Sequence, residues 1–468
     1  MKAREAGDII GGFRLEEALA PGGMAEFWHV TRSNIAIPLV MKIPLLRRGE
    51  DPITIVGFEV EQMIMQRLTG PHVPRYIAAG DFENPYIVME LVAGHSLKAL
   101  LEETPLAADR VAVIGAQIAF ALHDLHRQNV IHLDLKPSNV ILRANGEAVL
   151  IDFGLSRHDQ LPDLIAEEID GPVGTGPYIA PEQVLRDRTD LRSDLFALGV
   201  IMYFLATGER PFGEPQSAGE WKRRLWRDPF PPRRWKEDIP PWLQEIIMRC
   251  LEVDPNARYA SAAQLAFALQ HPEQVALTER ATRTARDGFL AVALRHYRAT
   301  GLRSVRRKSV SGILSGAPII MVAVDLATGS EALAEALRVA VRRIFVTEPS
   351  ARVACVNVLK LSRLAPDVFE TEEGRNLHLQ CLIELKDWAR TLHIEEGRLT
   401  YHVFESSDPA TAIVDYARNN HVDHIVIGAR ANSALRRYLG SVSSHVVAEA
   451  PCTVTVVRTS DAPAAAEA

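Results

Sequence analysis

The run His132-Leu133-Asp134-Leu135-Lys136-Pro137-Ser138-Asn139, followed a short way on by Asp152-Phe153-Gly154, concentrates more usable chemistry than any other part of this chain. It sets a carboxylate, an ammonium, an amide and a second carboxylate at fixed spacing around a strand-turn-strand. Transfer of a phosphoryl group from a metal-bound nucleotide calls for such a set. One acid accepts or orients the proton of the attacking hydroxyl, a cation steadies the migrating phosphoryl, and oxygen donors hold a divalent metal against the phosphates. Taken singly, each residue reads as part of a polar turn; their joint spacing argues for chemistry.

Such side chains need elements to position them. Residues 12–105 alternate strand-like runs with one helix-like run. Phe27–Val30 and Ile35–Ile43 read as strands, Gly57–Leu68 has helical apolar spacing, and Ile87–Met89 is a short buried strand. Helical patterns then dominate, at Ala107–Arg127, Asp194–Ala206, Trp242–Leu251 and Ser261–Leu269. A strand-rich lobe followed by a helix-rich one predicts an α+β unit with a cleft between its lobes.

Over roughly its first 270 residues the chain resembles the eukaryotic-type serine/threonine protein kinases, bacterial members included. The resemblance implies a bilobal kinase fold, Mg-ATP as the phosphoryl donor (with Mn2+ as a substitute ion) and protein Ser/Thr hydroxyls as acceptors. It makes Asp134 the base or hydroxyl-orienting acid, Lys136 the cation on the transferring phosphoryl, and Asn139 and Asp152 the metal ligands. Lys42, at the end of a strand, becomes the phosphate-neutralising lysine held by Glu61 on the following helix. Leu19, Gly22, Gly23, Phe27, Val40, Met89, Glu90, Val92 and Ile141 would surround the nucleotide, with Met89 as gatekeeper and backbone groups of Glu90 and Val92 reading the base. Gly174-Thr175-Gly176-Pro177-Tyr178-Ile179-Ala180-Pro181-Glu182 matches the substrate-binding end of the activation segment. Thr175 is expected to bond near Asp134 and Lys136, Glu182 to form a buried pair with Arg258, and Asp194 to brace the catalytic loop.

The match has departures. In Leu19-Ala20-Pro21-Gly22-Gly23-Met24-Ala25 the three spaced glycines of the family become alanine, glycine, alanine, which stiffens a loop that must bring backbone amides to phosphate. Phe27 and Val40 are larger than the family's usual residues and narrow the base pocket, an expectation of weaker nucleotide binding or of a base gripped differently. Leu133 stands where the family has an arginine that receives an activation-loop phosphate, and leucine makes no charge-assisted bond. Between Leu155 and Glu182 only Ser156, Thr175 and Tyr178 carry hydroxyls, whereas Asp159, Asp163, Glu167, Glu168 and Asp170 carry charge. Switching is therefore expected not to depend on phosphorylation of this loop.

From residue 316 the pattern becomes alternating α/β. Strands are expected at Ile319–Val324, Val353–Val358, Leu399–Phe404, His424–Gly428 and Thr453–Val457, with helices at Glu331–Ile344, Leu377–Leu392, from Asp408-Pro409 to about Asn419, and at Val442–Ala450. Five strands alternating with four helices predict a doubly wound parallel sheet. Ile425-Val426-Ile427-Gly428-Ala429-Arg430-Ala431, Gly440-Ser441-Val442-Ser443, Ala450-Pro451-Cys452-Thr453-Val454 and the opening Val322-Ala323-Val324-Asp325 resemble the universal stress protein family over residues 316–459. That likeness implies a second nucleotide site around Asp325, Gly428, Gly440 and Ser441. Ala431 in place of a glycine and a shortened run to Gly440 weaken the phosphate cradle. The alternative is a packing module that dimerises through its last strand.

The 468 residues, 47% apolar and 24% charged, divide on these patterns into an extension (1–11), the kinase domain (12–272), a basic helical linker (273–315), the universal-stress-type domain (316–459) and a disordered tail (460–468). The net charge of -7 argues against nucleic-acid binding. Cys250, Cys355, Cys381 and Cys452 lie far apart and read as thiols of a reducing compartment. No apolar signal core opens the chain, and the run Ile313–Ala327 is too short to span a bilayer, so a cytoplasmic location is the expectation. The linker reads as a solvated helix, as a dock on an acidic patch of the kinase lobe, or as a contact to anionic lipid. The functional expectation is a serine/threonine protein kinase with a regulatory or dimerising second domain; the alternative is a kinase-shaped nucleotide sensor or scaffold with little transfer activity.

Overall fold

An antiparallel sheet curls over the first lobe, in the order β1-β2-β3-β4-β6-β5. Its strands are β1 (Ile9–Ile10), β2 (Phe13–Ala18), β3 (Ala25–Arg32), β4 (Ile35–Pro44), β5 (Tyr76–Ala79) and β6 (Ile87–Glu90), with α1 (Pro52–Met65) inserted after β4. This computed structural model describes residues 4–19, 25–45, 52–81, 84–169, 171–288, 292–293, 295, 318–326, 331–360, 377–395, 398–429 and 441–458. Gly22, Gly23, Ala431, Gly440, most of the basic linker and the tail lie outside the described residues.

The second lobe is built on α2 (Ala108–Arg127), whose Val111, Ile114, Ile118, Leu122 and Leu125 recur at helical spacing and are buried. Gly115 lets α5 (Arg192–Thr207) come close, since a Cβ there would stand 2.7 Å from Met202 Sδ. Before α2 the chain lays down β7 (His95–Ser96), and between α2 and α5 it lays down β8 (Val130–Ile131), β9 (Val140–Leu142), β10 (Ala148–Leu150), β11 (Arg157–His158), α3 (Leu164–Glu168) and α4 (Pro181–Val184). The lobe closes with α6 (Ala218–Trp221), α7 (Pro241–Cys250), α8 (Ala262–Gln270) and α9 (Glu279–Thr282). Beginning inside the expected linker, α9 packs on α7 through Arg280, which pairs with Glu245 (3.2 Å) and Glu252 (2.7 Å). At Arg280, and at Arg295 on Asp228, that segment is thus docked on acids of the kinase lobe, while much of the rest of its described part is exposed.

The C-terminal region forms a five-stranded parallel sheet, β14-β13-β12-β15-β16. Its elements are β12 (Ile319–Ala323), α10 (Glu331–Thr347), β13 (Arg352–Lys360), α11 (Leu377–Arg390), β14 (Leu399–Ser406), α12 (Pro409–Asn419), β15 (His424–Gly428), α13 (Ser441–Glu449) and β16 (Thr453–Val457). The first strand lies in the middle and the helices divide between the faces, giving one core under α10 and α11 and another under α12 and α13. Asp408 caps α12 by accepting from the N–H groups of Ala410 and Thr411, with Pro409 at the first turn, as its sequence suggested. All four cysteines are free; three are buried and Cys452 is half-buried.

Candidate active site

Lys42 reaches the cleft from β4, where it pairs across the strands with Phe27 and Ile87. Its Nζ donates to Glu61 Oε2 at 2.5 Å and to Asp152 Oδ1 at 3.0 Å. Two glycines permit this closeness. A Cβ on Gly57 of α1 would stand 3.2 Å from the Gly154 carbonyl, and one on Gly154 equally near the Gly57 carbonyl, so α1 and the Asp152 turn meet backbone to backbone. Burial alone would lower the lysine's pKa, but Glu61 and Asp152 outweigh it and raise it. Chiefly through Lys42, the Asp152 carboxyl is held down at about 2. Glu61, only 1% exposed, is pushed upward by burial while Lys42 pulls the other way.

The catalytic loop connects β8 to β9. Asp134 is the hub. Thr175 Oγ1 donates to its Oδ1 at 2.5 Å, Lys136 Nζ donates to its Oδ2 at 2.6 Å, and Lys136 also reaches Thr175 Oγ1 at 3.2 Å. Asn139 Nδ2 donates to the Asp134 carbonyl at 3.0 Å. Leu133 adopts φ +60° and Asp152 φ +67°, left-handed conformations that cost a non-glycine residue roughly 1–3 kcal/mol unless neighbours enforce them. At Leu133 the enforcement is visible. Asp194 accepts from the backbone N–H groups of His132 (2.9 Å) and Leu133 (2.8 Å), while Gln183 Nε2 donates to the Leu133 carbonyl at 2.8 Å. Burial pushes the Asp194 carboxyl up, but bonds from His126 and the His132 backbone outweigh it and leave the group below its ordinary range. Glu182 and Arg258 form the expected buried pair, two bonds of 2.7 and 2.8 Å, with Ser193 Oγ also donating to Glu182.

Nucleotide and metal can be tested against the residues present. Val40 (8% exposed) and Met89 (7%) pair across β4 and β6, Phe27 packs against the same core, and Lys42 Nζ stands 5.9 Å from the Phe27 ring centroid. The hinge is anchored by Glu90: its N–H donates to the Arg75 carbonyl at 2.9 Å and its carboxylate takes Arg143 at 2.9 Å. Val92 is buried, Ile141 half-buried in β9, and Leu19 packs against the same core. For a divalent ion, Asp152 supplies an ionised carboxylate whose side chain is 42% exposed, and Asn139 supplies an amide oxygen with one long contact, from Ser138 Oγ at 3.3 Å. Two hard oxygen donors leave further positions for phosphate and water, which fits magnesium.

At the second expected site, Asp325 follows β12 and Gly428 ends the neighbouring β15, so both stand at the carboxyl edge of the parallel sheet, and Ser441 opens α13. A Cβ on Gly428 would meet Leu333 Cδ2 at 2.9 Å. The glycine therefore has a packing reason, close approach of α10, independent of any phosphate.

Sequence reasoning missed Gln183 and His126 as supports of the loop, and it missed what the acids of the activation segment do. Asp163 takes Arg188 at 3.0 Å. Glu167 and Glu168, on α3, are held by the C-terminal domain: Arg352 to Glu167 at 2.8 Å, His402 Nδ1 to Glu168 at 2.8 Å, and Tyr416 hydroxyl to Glu167 at 3.5 Å. Ile55 of α1 is buried in that domain's core cluster. Only the acidity of the loop was legible, because partners hundreds of residues away leave no local signal.

The match of residues 14–272 to the family model described as "Protein kinase domain" shows that the chain belongs to the protein kinase family. Residues 317–458 match the model of the universal stress protein family. Among curated proteins, the chain is 30% identical over 260 residues to the serine/threonine-protein kinase PknB of Mycolicibacterium smegmatis, covering 54% of this chain and 41% of that protein. It is 33% identical over 275 residues to the serine/threonine-protein kinase pkn3 of Myxococcus xanthus, covering 55% and 49%. The aligned region thus spans about half or less of these relatives' length. The crystal structure of the Mycobacterium tuberculosis PknI kinase domain covers 58% of this chain and 100% of its own, at 22% identity and a TM-score of 0.47.

Proposed function

We propose that this protein transfers the γ-phosphoryl group of ATP to serine or threonine hydroxyls of proteins, with Mg2+ as the ordinary metal and Mn2+ able to replace it. The observation that carries this reading is the assembled state of the site: Lys42 engages Glu61 and Asp152 together, while Asp134, Lys136 and Thr175 are mutually bonded. Lys42 is placed to neutralise phosphate. Asp134 is placed to receive the acceptor's proton, and Lys136, beside it, to meet charge on the transferring group. Asn139 and Asp152 would hold the metal, which neutralises phosphate charge when bound. A scaffold would have no chemical use for the full set.

The experiment is label transfer from ATP to the chain itself and to a generic protein acceptor, wild type beside Asp134→Ala. Loss of roughly 100- to 10,000-fold in turnover with ATP binding retained is expected, the scale of general-base catalysis. Equal label in both would mean a contaminating activity. Label in neither, with ATP bound, would favour the scaffold.

The C-terminal domain serves, in this reading, as a regulator in cis. Arg352 and His402 reach the activation-segment acids Glu167 and Glu168 where the family uses an arginine on a phosphate and this chain has Leu133. As β16 ends its sheet among the described residues, the same domain offers an edge for pairing with a second copy. Light scattering across a concentration series tests that pairing.

A further inference from the structure

A cavity of about 410 Å3 in the second lobe is lined by five arginines, Arg210, Arg223, Arg224, Arg227 and Arg286, against three carboxylates. Those carboxylates are already engaged. Glu214 pairs with Arg210 at 2.9 Å, Asp228 takes Arg295 at 2.5 Å, and Glu220 accepts the Gln216 N–H at 2.7 Å. Among the described residues, Arg223, Arg224, Arg227 and Arg286 have no carboxylate within ion-pair reach. Arg224 is 2% exposed and donates only to neutral carbonyls, those of Ile179, Gly176 (2.7 Å) and Trp221 (3.2 Å). Burial draws its pKa down to about 10. Arg286 lies 3.6 Å over the Phe230 ring, its buried Nε has no hydrogen-bond partner among the described residues, and Asp228, already taken by Arg295, acts on it only from beyond ion-pair distance. A cation taken from water without an anion, as Arg224 is, is costly, so a ligand anion beside it would be stabilised beyond what a surface arginine offers.

The cavity's position indicates whose anion. Arg224 holds the carbonyl of Gly176, the residue after Thr175, and Thr175 bonds Asp134. A Cβ on Gly176 would stand 2.7 Å from the Pro215 carbonyl of the cavity wall. The basic wall therefore abuts the segment one residue from the catalytic acid's own contact. An extended peptide rising about 3.3 Å per residue passes from one to the other within a few residues.

We propose that this arginine cavity receives an anionic side chain of the protein substrate, an aspartate, glutamate or phosphorylated residue lying a few positions from the acceptor hydroxyl. The assignment rests on the kinase reading for the word substrate, but the binding itself needs no turnover.

The test uses the full chain and fluorescent peptides in which the acceptor serine is replaced by alanine. Positions two to four residues away carry glutamate, phosphoserine or glutamine, and affinity is read by anisotropy. Arg223 and Arg227 are exposed, so Arg223→Gln/Arg227→Gln leaves the packing intact. The expected result is an anionic peptide bound about tenfold tighter than its glutamine counterpart, and loss of that preference in the double variant. Tighter binding of phosphoserine than glutamate assigns a phosphorylated substrate; the converse assigns a carboxylate. Equal affinity for anionic and neutral peptides, or a preference that survives the double substitution, overturns the proposal. Anion binding at these arginines without label transfer in the Asp134 experiment would instead remove the kinase reading and leave the cavity's chemistry standing.

Discussion

Arg258 shows what individual charges contribute to this molecule. Its side chain has no solvent exposure, and it donates two bonds to Glu182, itself nearly buried. Replacing both ions by apolar groups could cost little, but removing one strands the other. Glu182→Gln keeps the shape and deletes the charge, so the kinase lobe should lose roughly 3–5 kcal/mol, the usual cost of an uncompensated buried partner. The midpoint of denaturant unfolding, followed by the tryptophans of that lobe, checks it; an unchanged midpoint would mean that Ser193 and the carbonyl contacts suffice. This pair, Lys42 with Glu61 and the Asp134–Lys136–Thr175 cluster were all legible in the sequence, since each depends on a residue type at a fixed place in a motif. Gln183 was not. Its bond to the Leu133 carbonyl is a side-chain-to-backbone contact, and such contacts constrain no neighbouring residue type that a reader could recognise.

Among the elements, α1 and α3 matter most, because each has one face on the catalytic machinery and another on the C-terminal domain. Glu61 of α1 holds Lys42, whereas Ile55 of the same helix joins the far domain's core. Glu59, one turn on from Ile55, is 8% exposed and pushed up to about 8, by burial first and then by Glu168, with Lys386 opposing. The sign of its effect follows. Docked, Glu59 keeps a proton up to about 8; undocked and hydrated, it would lose that proton near the ordinary 4.5. The docked arrangement is therefore favoured at the acid end of that window and weakens as pH rises through it, by at most about 1.4 kcal/mol per pH unit. Energy transfer between labels on the two domains should fall from pH 5 to 8 in the wild type, while Glu59→Gln, permanently neutral, should be flatter. Helix α3 itself escaped sequence reading. Five residues between acids carry no periodicity, and its fixed place comes from Leu164 and Ile165 buried beneath it and from Arg352 and His402 above. If these contacts hold the segment in its working position, Glu167→Gln/Glu168→Gln should lower phosphotransfer by roughly 5- to 150-fold, the range of ordinary coupling energies, with the KM for ATP little changed. A rise would make the domain a brake, and no change would make the contact incidental.

For the whole molecule, the two halves were legible separately and their union was not. Period-two and period-3.6 patterns, and caps such as Asp408-Pro409, are local and survive in the sequence as such. The placement of one domain on another depends on matching surfaces, here acids at 167 and 168 with an arginine at 352 and an imidazole at 402, and any one of them alone reads as an ordinary polar side chain. The union also makes a prediction about dynamics that neither half makes alone. Backbone amides of α1 and α3 are protected by their own packing and, in addition, by the domain that covers them. Arg352→Gln removes the ion pair to Glu167 from the far side and leaves in place His402, which is buried against Phe404 and Tyr416 in the C-terminal core. Hydrogen exchange should then accelerate in Pro52–Met65 and Leu164–Glu168 and stay unchanged in the catalytic-loop strands β9 and β10, which are held from within their own lobe. Pairing this with Glu167→Gln/Glu168→Gln closes a cycle across the interface. Combined losses in activity smaller than the sum of the separate ones would place both pairs in one interaction. Strict additivity, or exchange that does not move, would mean that the two domains work side by side, with the activation segment held by the kinase lobe alone.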